Sequence, residues 1–286
     1  MRYMLGLPNG GACADPRFLG DLAEEAEAAG WEAILIEDYI DYQAKDVPTC
    51  DPWIGLAAIA MRTKRPIIGT CVTPIARRRP WRVAQEVATL DRLSGGRAVL
   101  GVGVGDTNDP TFERLGEETD LRTRAAMLDE GLAIIDGLWR GEPLSFKGRH
   151  YRVSGVALRL TPLQRPRVPI WVGGLWPRRG PVARAARWDG AILGWKVGPP
   201  QGNGKEVEMT PDDVRQLVAE IGCLRPQGLD GYAFVMGGRR RNPDEAAERD
   251  WLREMAAAGA TWWMDWVPPG PADEMRHAVR RGPLRQ

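Results

Sequence analysis

Short apolar runs alternate along this chain with longer stretches in which apolar residues return every three or four positions. The first kind suits buried strands and the second amphipathic helices, so their regular alternation predicts βα units and a parallel sheet. Eight strand segments stand out: RYMLGL from Arg2, AILIEDY from Ala33, PIIGTCVT from Pro66, AVLGVGVG from Ala98, PIWVGG from Pro169, GAILGW from Gly190, GYAFVMG from Gly231 and TWWMDWV from Thr261. Boundary residues mark the helices between them. DPRFLGDLAEEAEAAG opens with Asp15 as N-cap and Pro16 in the first turn and closes at Gly30, and PWRVAQEVATLDRLSGG runs from Pro80 to Gly95 in the same grammar. MTPDDVRQLVAEIG and NPDEAAERDWLREMAAAG repeat it.

Eight successive units favour an α/β fold of the closed (β/α)8 TIM-barrel kind over an open sheet, because each right-handed crossover returns the chain in the same sense. A length of 286 residues fits one such domain, residues 1–286. One interval is long: DLRTRAAMLDEGLAIIDGLWRG and then LSFKGRHYRVSGVALRLTPLQRPRVP separate the fourth and fifth strands. The β-rich FKGRHYRV within it predicts an inserted hairpin carried by the barrel. Barrel chemistry gathers at the C-terminal ends of the strands. Those ends offer Asn9, then Glu37, Asp38 and Tyr39, then Thr70, Cys71 and Thr73, then Gly105 and Asp106. The later strands add Gly173, Gly174 and Trp176, Trp195, Gly237, and Asp265 with Trp266.

Charge narrows the partners. Thirty-nine Lys and Arg against 38 Asp and Glu leave a formal charge of +1, with no general pull toward nucleic acid or an anionic membrane, so a small-molecule substrate is expected. The apolar stretch before Pro8 is too short for a signal peptide, and no run nears the roughly 20 residues of a membrane span. A cytoplasmic protein is the expectation. Cys13, Cys50, Cys71 and Cys223 form no C-x-x-C pair, which points to free thiols rather than a zinc cage or a disulfide scaffold. Of the twelve tryptophans, Trp176, Trp195 and Trp266 lie where they could wall a pocket. KVGPPQGNGKEVEMT, from Lys196 to Thr210, reads as an exposed, mobile loop.

The glycine-rich AVLGVGVGDTND is tested first as a dinucleotide fingerprint and fails. Gly101 and Gly103 fit G-x-G-x-x-G, but Asp106 stands at the third glycine and Pro110 closes a loop where a helix should begin. Metal-assisted hydrolysis lacks ligands, since His150 and His277 lie outside the strand ends. Ser94, Ser145 and Ser154 occupy no G-x-S-x-G elbow. Asp38 paired with Asp106 or Asp265 leaves a two-carboxylate glycosidase open as a further alternative. His150 suits a structural hairpin, His277 a solvated helix and Cys71 a packed thiol.

In order, DPWIGLAAIAMRT, IIGTCVTPIARRRPWRVAQEVATLDRLSGGRAVLGVGVG, GLWRGEPLSFKGRHYRV, QRPRVPIWVGG and AARWDG resemble the bacterial luciferase-like superfamily. That family holds flavin (FMN) monooxygenases and coenzyme F420-dependent oxidoreductases, and the resemblance runs from about Asp51 to Gly190. It implies a (β/α)8 barrel with a flavin or deazaflavin at its C-terminal mouth. It also implies that Thr70, Cys71 and Val72 back the ring, with a non-proline cis peptide between Cys71 and Val72. Gly105 and Asp106 match the position beside the ring, and Val172, Gly173 and Gly174 match backbone that approaches it. Arg178, Arg179 and Gly180, near a helix start, match a place for the cofactor phosphate. Trp176 and Trp195 stand beside these segments, and the glycines of the fourth strand are expected to thin the wall where the ring lies.

One departure matters. Many members, the F420-dependent ones above all, carry a histidine just after the second strand for proton transfer, whereas this chain reads IEDYIDYQ. Asp38 and Tyr39 stand there instead. Asp38 is expected to hold a raised pKa and donate a proton, and Tyr39 to orient oxygen or substrate. The expected activity is that of a monooxygenase using reduced FMN and O2, with a separate reductase delivering the reduced cofactor. The alternatives are an F420-dependent oxidoreductase working by hydride transfer and a non-catalytic flavin-binding barrel. The resemblance further implies a homodimer.

Overall fold

The computed structural model describes residues 1–42, 47–198 and 206–285. Its first half contains β1 (Arg2–Leu7), α1 (Pro16–Ala28), β2 (Ala33–Ile36), α2 (Pro52–Arg62), β3 (Ile67–Thr70), the short β4 (Thr73–Pro74), α3 (Pro80–Ser94) and β5 (Ala98–Gly103). An excursion follows through α4 (Thr111–Arg114), α5 (Leu121–Trp139), β6 (Leu144–Lys147) and β7 (Arg152–Val156). The second half contains β8 (Ile170–Gly173), α6 (Arg179–Ala185), β9 (Gly190–Ile192), β10 (Trp195–Val197), β11 (Glu206–Glu208) and α7 (Pro211–Leu224). It ends with β12 (Ala233–Arg239), α8 (Glu245–Ala257), β13 (Trp262–Trp266) and α9 (Ala272–Arg280).

The helices α1, α2, α5, α7 and α8 begin where a short polar side chain satisfies free N–H groups of the first turn. Asp15 accepts from the Arg17 N–H at 2.8 Å ahead of α1, and Thr210 and Asp213 form a reciprocal capping box at α7. Gly95 ends α3 with φ 73°, a left-handed cap that glycine adopts without strain. Between the helices, β3-β2-β1-β13-β12-β9-β8-β5 run parallel in that order, and β3 pairs with β5 to close the ring. This is the (β/α)8 barrel that the eight βα units predict. Closure depends on close backbone approach, since a Cβ on Gly69 would stand 2.1 Å from the Val99 carbonyl oxygen and one on Gly101 would stand 1.9 Å from that of Thr70. Gly101 therefore serves the β3–β5 seam, not the thinning of a cofactor wall.

Alternation along the strands sorts their side chains into two layers. Met4, Ala33, Leu35, Val99, Trp171, Ala233, Val235, Trp262 and Met264 fill the barrel interior, with Ile67, Cys71 and Ile192 packed against them. Their neighbours, such as Leu5, Ile34, Ile36, Leu100, Val172 and Trp263, point outward into the larger core under the helices.

The inserted hairpin is β6 paired antiparallel with β7, and Glu130 of α5 anchors its turn by accepting the N–H groups of Arg149, His150 and Tyr151 at 2.7, 3.0 and 3.0 Å. The segment from Lys196 to Thr210 differs from the expected loop. β10 and β11 form a second antiparallel hairpin at its two ends, while residues 199–205 lie outside the described residues. Trp195 accordingly opens that hairpin instead of ending the sixth barrel strand at Ile192.

Candidate active site

The end of β2 shows how alternation decides chemistry. Glu37 continues the inward series of Ala33 and Leu35, and Asp38 continues the outward series of Ile34 and Ile36. Asp38 is buried, and Arg78 binds both its oxygens, Nε to Oδ2 at 2.9 Å and Nη2 to Oδ1 at 2.8 Å. Both its oxygens are taken by the guanidinium, so the expectation of a proton-donating Asp38 gives way to a positioning ion pair. Asp265 faces outward in the same manner, taking Arg241 Nη2 at 2.7 Å and the Trp263 indole N–H at 3.0 Å. Asp38 and Asp265, two of the carboxylates a glycosidase would need, are thus committed to arginine partners.

Glu37 stands at a strand end, but no motif in the sequence sets it apart from its neighbours. Burial pushes its carboxyl up to about 7, the Tyr42 hydroxyl that donates to Oε2 draws it down, and the nearby Asp106 charge raises it. Tyr39 donates its hydroxyl to Asp106 Oδ2 at 3.1 Å, and the Tyr39 and Tyr42 rings pack with centroids 4.9 Å apart. Burial, and then the surrounding carboxylates, raise both phenols above the ordinary tyrosine value, so each stays a proton donor. Buried Asn9 holds this segment from β1. Its Nδ2 donates to the Tyr39 and Cys50 carbonyls at 2.7 and 2.8 Å, and its Oδ1 accepts from the Tyr39 N–H at 3.2 Å. Across the mouth, Asn108 N–H donates to Asp106 Oδ1 at 2.8 Å. Phe112, which packs on Gly105, lies between the Arg77 and Arg124 guanidinium groups and steadies that loop.

At the end of β3 the Cys71–Val72 peptide is cis, at the bond indicated by the resemblance. Val72 lies over Gly103 of β5 and Gly173 of β8, where a Cβ on either glycine would stand 2.8 Å from a Val72 methyl. These three residues make a thin apolar platform across three strand ends. Cys71 lies beside it in the inner layer, its thiol pushed up to about 12 by burial and then by Glu37. Thr70 does not face the platform. It is fully buried, donating to the Gly101 carbonyl at 2.8 Å and accepting from Thr73 Oγ1 at 3.0 Å, which ties β3 to β5. Val172 packs outward, so only its backbone reaches the mouth.

Other expected contacts also separate. Gly174 is reserved for Pro181, whose Cβ would lie 2.6 Å from an added Cβ, and Gly105 for the Phe112 ring at the same distance. Protein packing explains both glycines. Trp176 is buried and reaches Glu220 on α7 with its indole N–H at 3.3 Å, so it is not a pocket wall. Trp195 lies against Gly238 beside Met264, and Trp266 lies over Gly6 in the inner layer, so these two remain at the mouth. Arg178, Arg179 and Gly180 are exposed at the start of α6, and a Cβ on Gly180 would meet nothing within 4 Å. Glu206 of the hairpin stands within electrostatic reach of both Asp106 and Arg178.

The protein is thus a (β/α)8 barrel whose mouth combines an apolar platform with phenols and carboxylates. The family model described as luciferase-like monooxygenase matches residues 4–277, and the chain belongs to that family. An F420-dependent glucose-6-phosphate dehydrogenase of Nakamurella multipartita is 37% identical over 166 residues, covering 57% of this chain and 48% of that protein. Its counterpart in Amycolatopsis mediterranei is 34% identical over 268 residues, covering 92% of this chain and 74% of that protein. The chain therefore spans about half the length of the first relative and three quarters of the second. An F420-dependent secondary alcohol dehydrogenase, solved with an F420-acetone adduct, superposes with a TM-score of 0.76 over 98% of this chain and 96% of that one, at 18% identity. That likeness concerns the fold.

Proposed function

We propose that this chain is an F420-dependent oxidoreductase acting on a small substrate that carries a hydroxyl or carbonyl group. The observation that carries the reading is the cluster of proton-handling groups at the mouth, Tyr39 bonded to Asp106 with Glu37 beside them. Oxidising an alcohol releases the hydroxyl proton, and a positioned acid or base is what such a step requires of the protein. The names of the relatives support the same cofactor, most broadly along the chain in the Amycolatopsis protein. They support it better than the reduced FMN and O2 expected first.

The residues present fit such a group. Val72 over Gly103 and Gly173 offers a planar apolar backing, and Arg178 and Arg179 offer cations beside an unobstructed Gly180 for a phosphate. When bound, the deazaflavin supplies the hydride acceptor or donor. The chain supplies the rest: Trp195 and Trp266 exclude water, neutral Cys71 leaves the platform uncharged, and the Tyr39–Asp106 bond orients the substrate oxygen. In the oxidative direction the substrate itself reduces the cofactor, so the separate reductase of the FMN reading has no part. For the homodimer implied by the resemblance we propose the face bearing the exposed Ile54 and Met61 of α2 and Trp81 and Leu93 of α3, two helices that pack side by side.

Parallel equilibrium titrations with oxidised F420 and FMN, followed by fluorescence, test the assignment. F420 is expected to bind at least ten-fold more tightly. Binding of FMN alone, with oxygen uptake on addition of its reduced form, would restore the monooxygenase. F420 binding without turnover across a panel of alcohols and sugar phosphates would point to a non-catalytic barrel.

A further inference from the structure

We propose that Glu37, held by Tyr42, is the residue that exchanges the proton with the substrate oxygen at the barrel mouth. This rests on the F420-dependent reading above and goes beyond it by naming the group that does the work of the missing histidine. Four observations point to Glu37. Its side chain emerges in the inner layer, above Ala33 and Leu35, next to Cys71 at one edge of the Val72 platform. Tyr42 donates to Oε2, and among the described residues no hydrogen bond to Oε1 is found, so that oxygen faces the mouth as the acceptor for a substrate hydroxyl. Among the described residues no cation is paired with Glu37, in contrast to Asp38, Asp109 and Asp265, which are locked by Arg78, Arg77 and Arg241. Asp106 is less free, since Tyr39 takes one of its oxygens and the Asn108 N–H the other.

The seat for Tyr42 is built into the chain. A Cβ on Gly10 would stand 2.6 Å from the Tyr42 ring, so glycine there makes room for it, while Asn9 fixes the backbone at Tyr39 and the Tyr39 ring packs alongside. The titratable groups facing Glu37 are Tyr42, Tyr39, Asp106 and Cys71. Their combined effect with burial leaves its carboxyl at about 7, where it can give or take a proton near neutrality.

The step balances. In oxidation the substrate C–H bond breaks and its electron pair leaves with the hydrogen to the oxidised deazaflavin, the O–H bond breaks and its proton passes to Glu37, and a C=O bond forms. Glu37, now neutral, returns the proton to solvent. In reduction the same transfers run backward and Glu37 starts protonated.

Glu37→Gln and Tyr42→Phe test this, the first keeping shape and the second removing only the hydroxyl. Infrared titration of the protein without cofactor is expected to show a protonated carboxyl band lost with a midpoint near 7. That band is absent in Glu37→Gln and titrates at higher pH in Tyr42→Phe, because the phenol stabilises the carboxylate. With F420 and an alcohol, kcat of Glu37→Gln is expected to fall about 10²- to 10³-fold with F420 affinity unchanged. The acid limb of the Tyr42→Phe pH profile moves up in step with the infrared midpoint. Glu37→Gln that binds F420 and turns over within a few-fold of wild type overturns the inference alone, as does a band confined to the ordinary carboxylate range. Failure of the wild-type chain to bind F420 overturns the functional reading together with it.

Discussion

Glu37 faces the barrel mouth beside Tyr42, whereas its neighbour Asp38 faces the helices and binds Arg78. Arg78→Ala leaves Asp38 buried without its counter-charge, and urea unfolding should register a loss of about 3–5 kcal/mol. Asp38→Asn should lower stability through the same pair; reduced turnover in a variant of wild-type stability would instead return Asp38 to the chemistry. Glu37 gives stability a pH dependence of known sign. Its folded pKa stands at about 7 against an ordinary 4.5, so its contribution is full below the ordinary value and lost as pH rises through about 7. The loss is on the order of 3 kcal/mol. Melting temperatures taken from pH 4 to 8 should show this decline in wild type and its flattening in Glu37→Gln. The alternation that places Glu37 inward is legible in AILIED, because Ala33, Leu35 and Glu37 share a face. The partner of Asp38 is not, since Arg78 lies beyond α2 and β3 in sequence and only the pairing of β2 with β3 brings the two close.

Helix boundaries follow from local chemistry, which is why Asp15, Pro16, Pro80, Gly95 and Thr210 mark them in the bare sequence. The hairpin of β10 and β11 was not legible, because proline and glycine in its connection give a loop signature and three-residue strands show no periodicity. Glycine roles are not legible in the sequence, for a physical reason. A glycine that admits a cofactor and one that admits a neighbouring strand or ring look alike until the neighbour is known. Gly174 and Gly101 are of the second kind. Gly174→Val should therefore destabilise the cofactor-free protein by about 1–3 kcal/mol through collision with Pro181, and calorimetry without cofactor checks it. A fully stable variant that binds F420 poorly would reinstate Gly174 as a ring contact.

At the scale of the whole molecule, the parallel barrel gathers the ends of β2, β3, β5 and β8 around one mouth, so residues far apart in sequence share one site. The order of strands was legible because eight βα units have few ways to close. The choice of cofactor was not, because a flat apolar platform suits flavin and deazaflavin alike. Among the described residues no helix is long and apolar enough to cross a membrane. If the α2–α3 face pairs two chains, Met61→Glu should convert dimer to monomer in sedimentation, and an unaltered dimer would place the interface elsewhere. The proposed reaction is hydride transfer between substrate carbon and F420, and the fate of a deuterium label decides it. With an alcohol deuterated at the carbinol carbon, incubated without oxygen, mass spectrometry of the reduced F420 should show the label carried over from the substrate. Unlabelled reduced F420, or turnover that occurs only with O2 and places oxygen in the product, would rule out hydride transfer to F420.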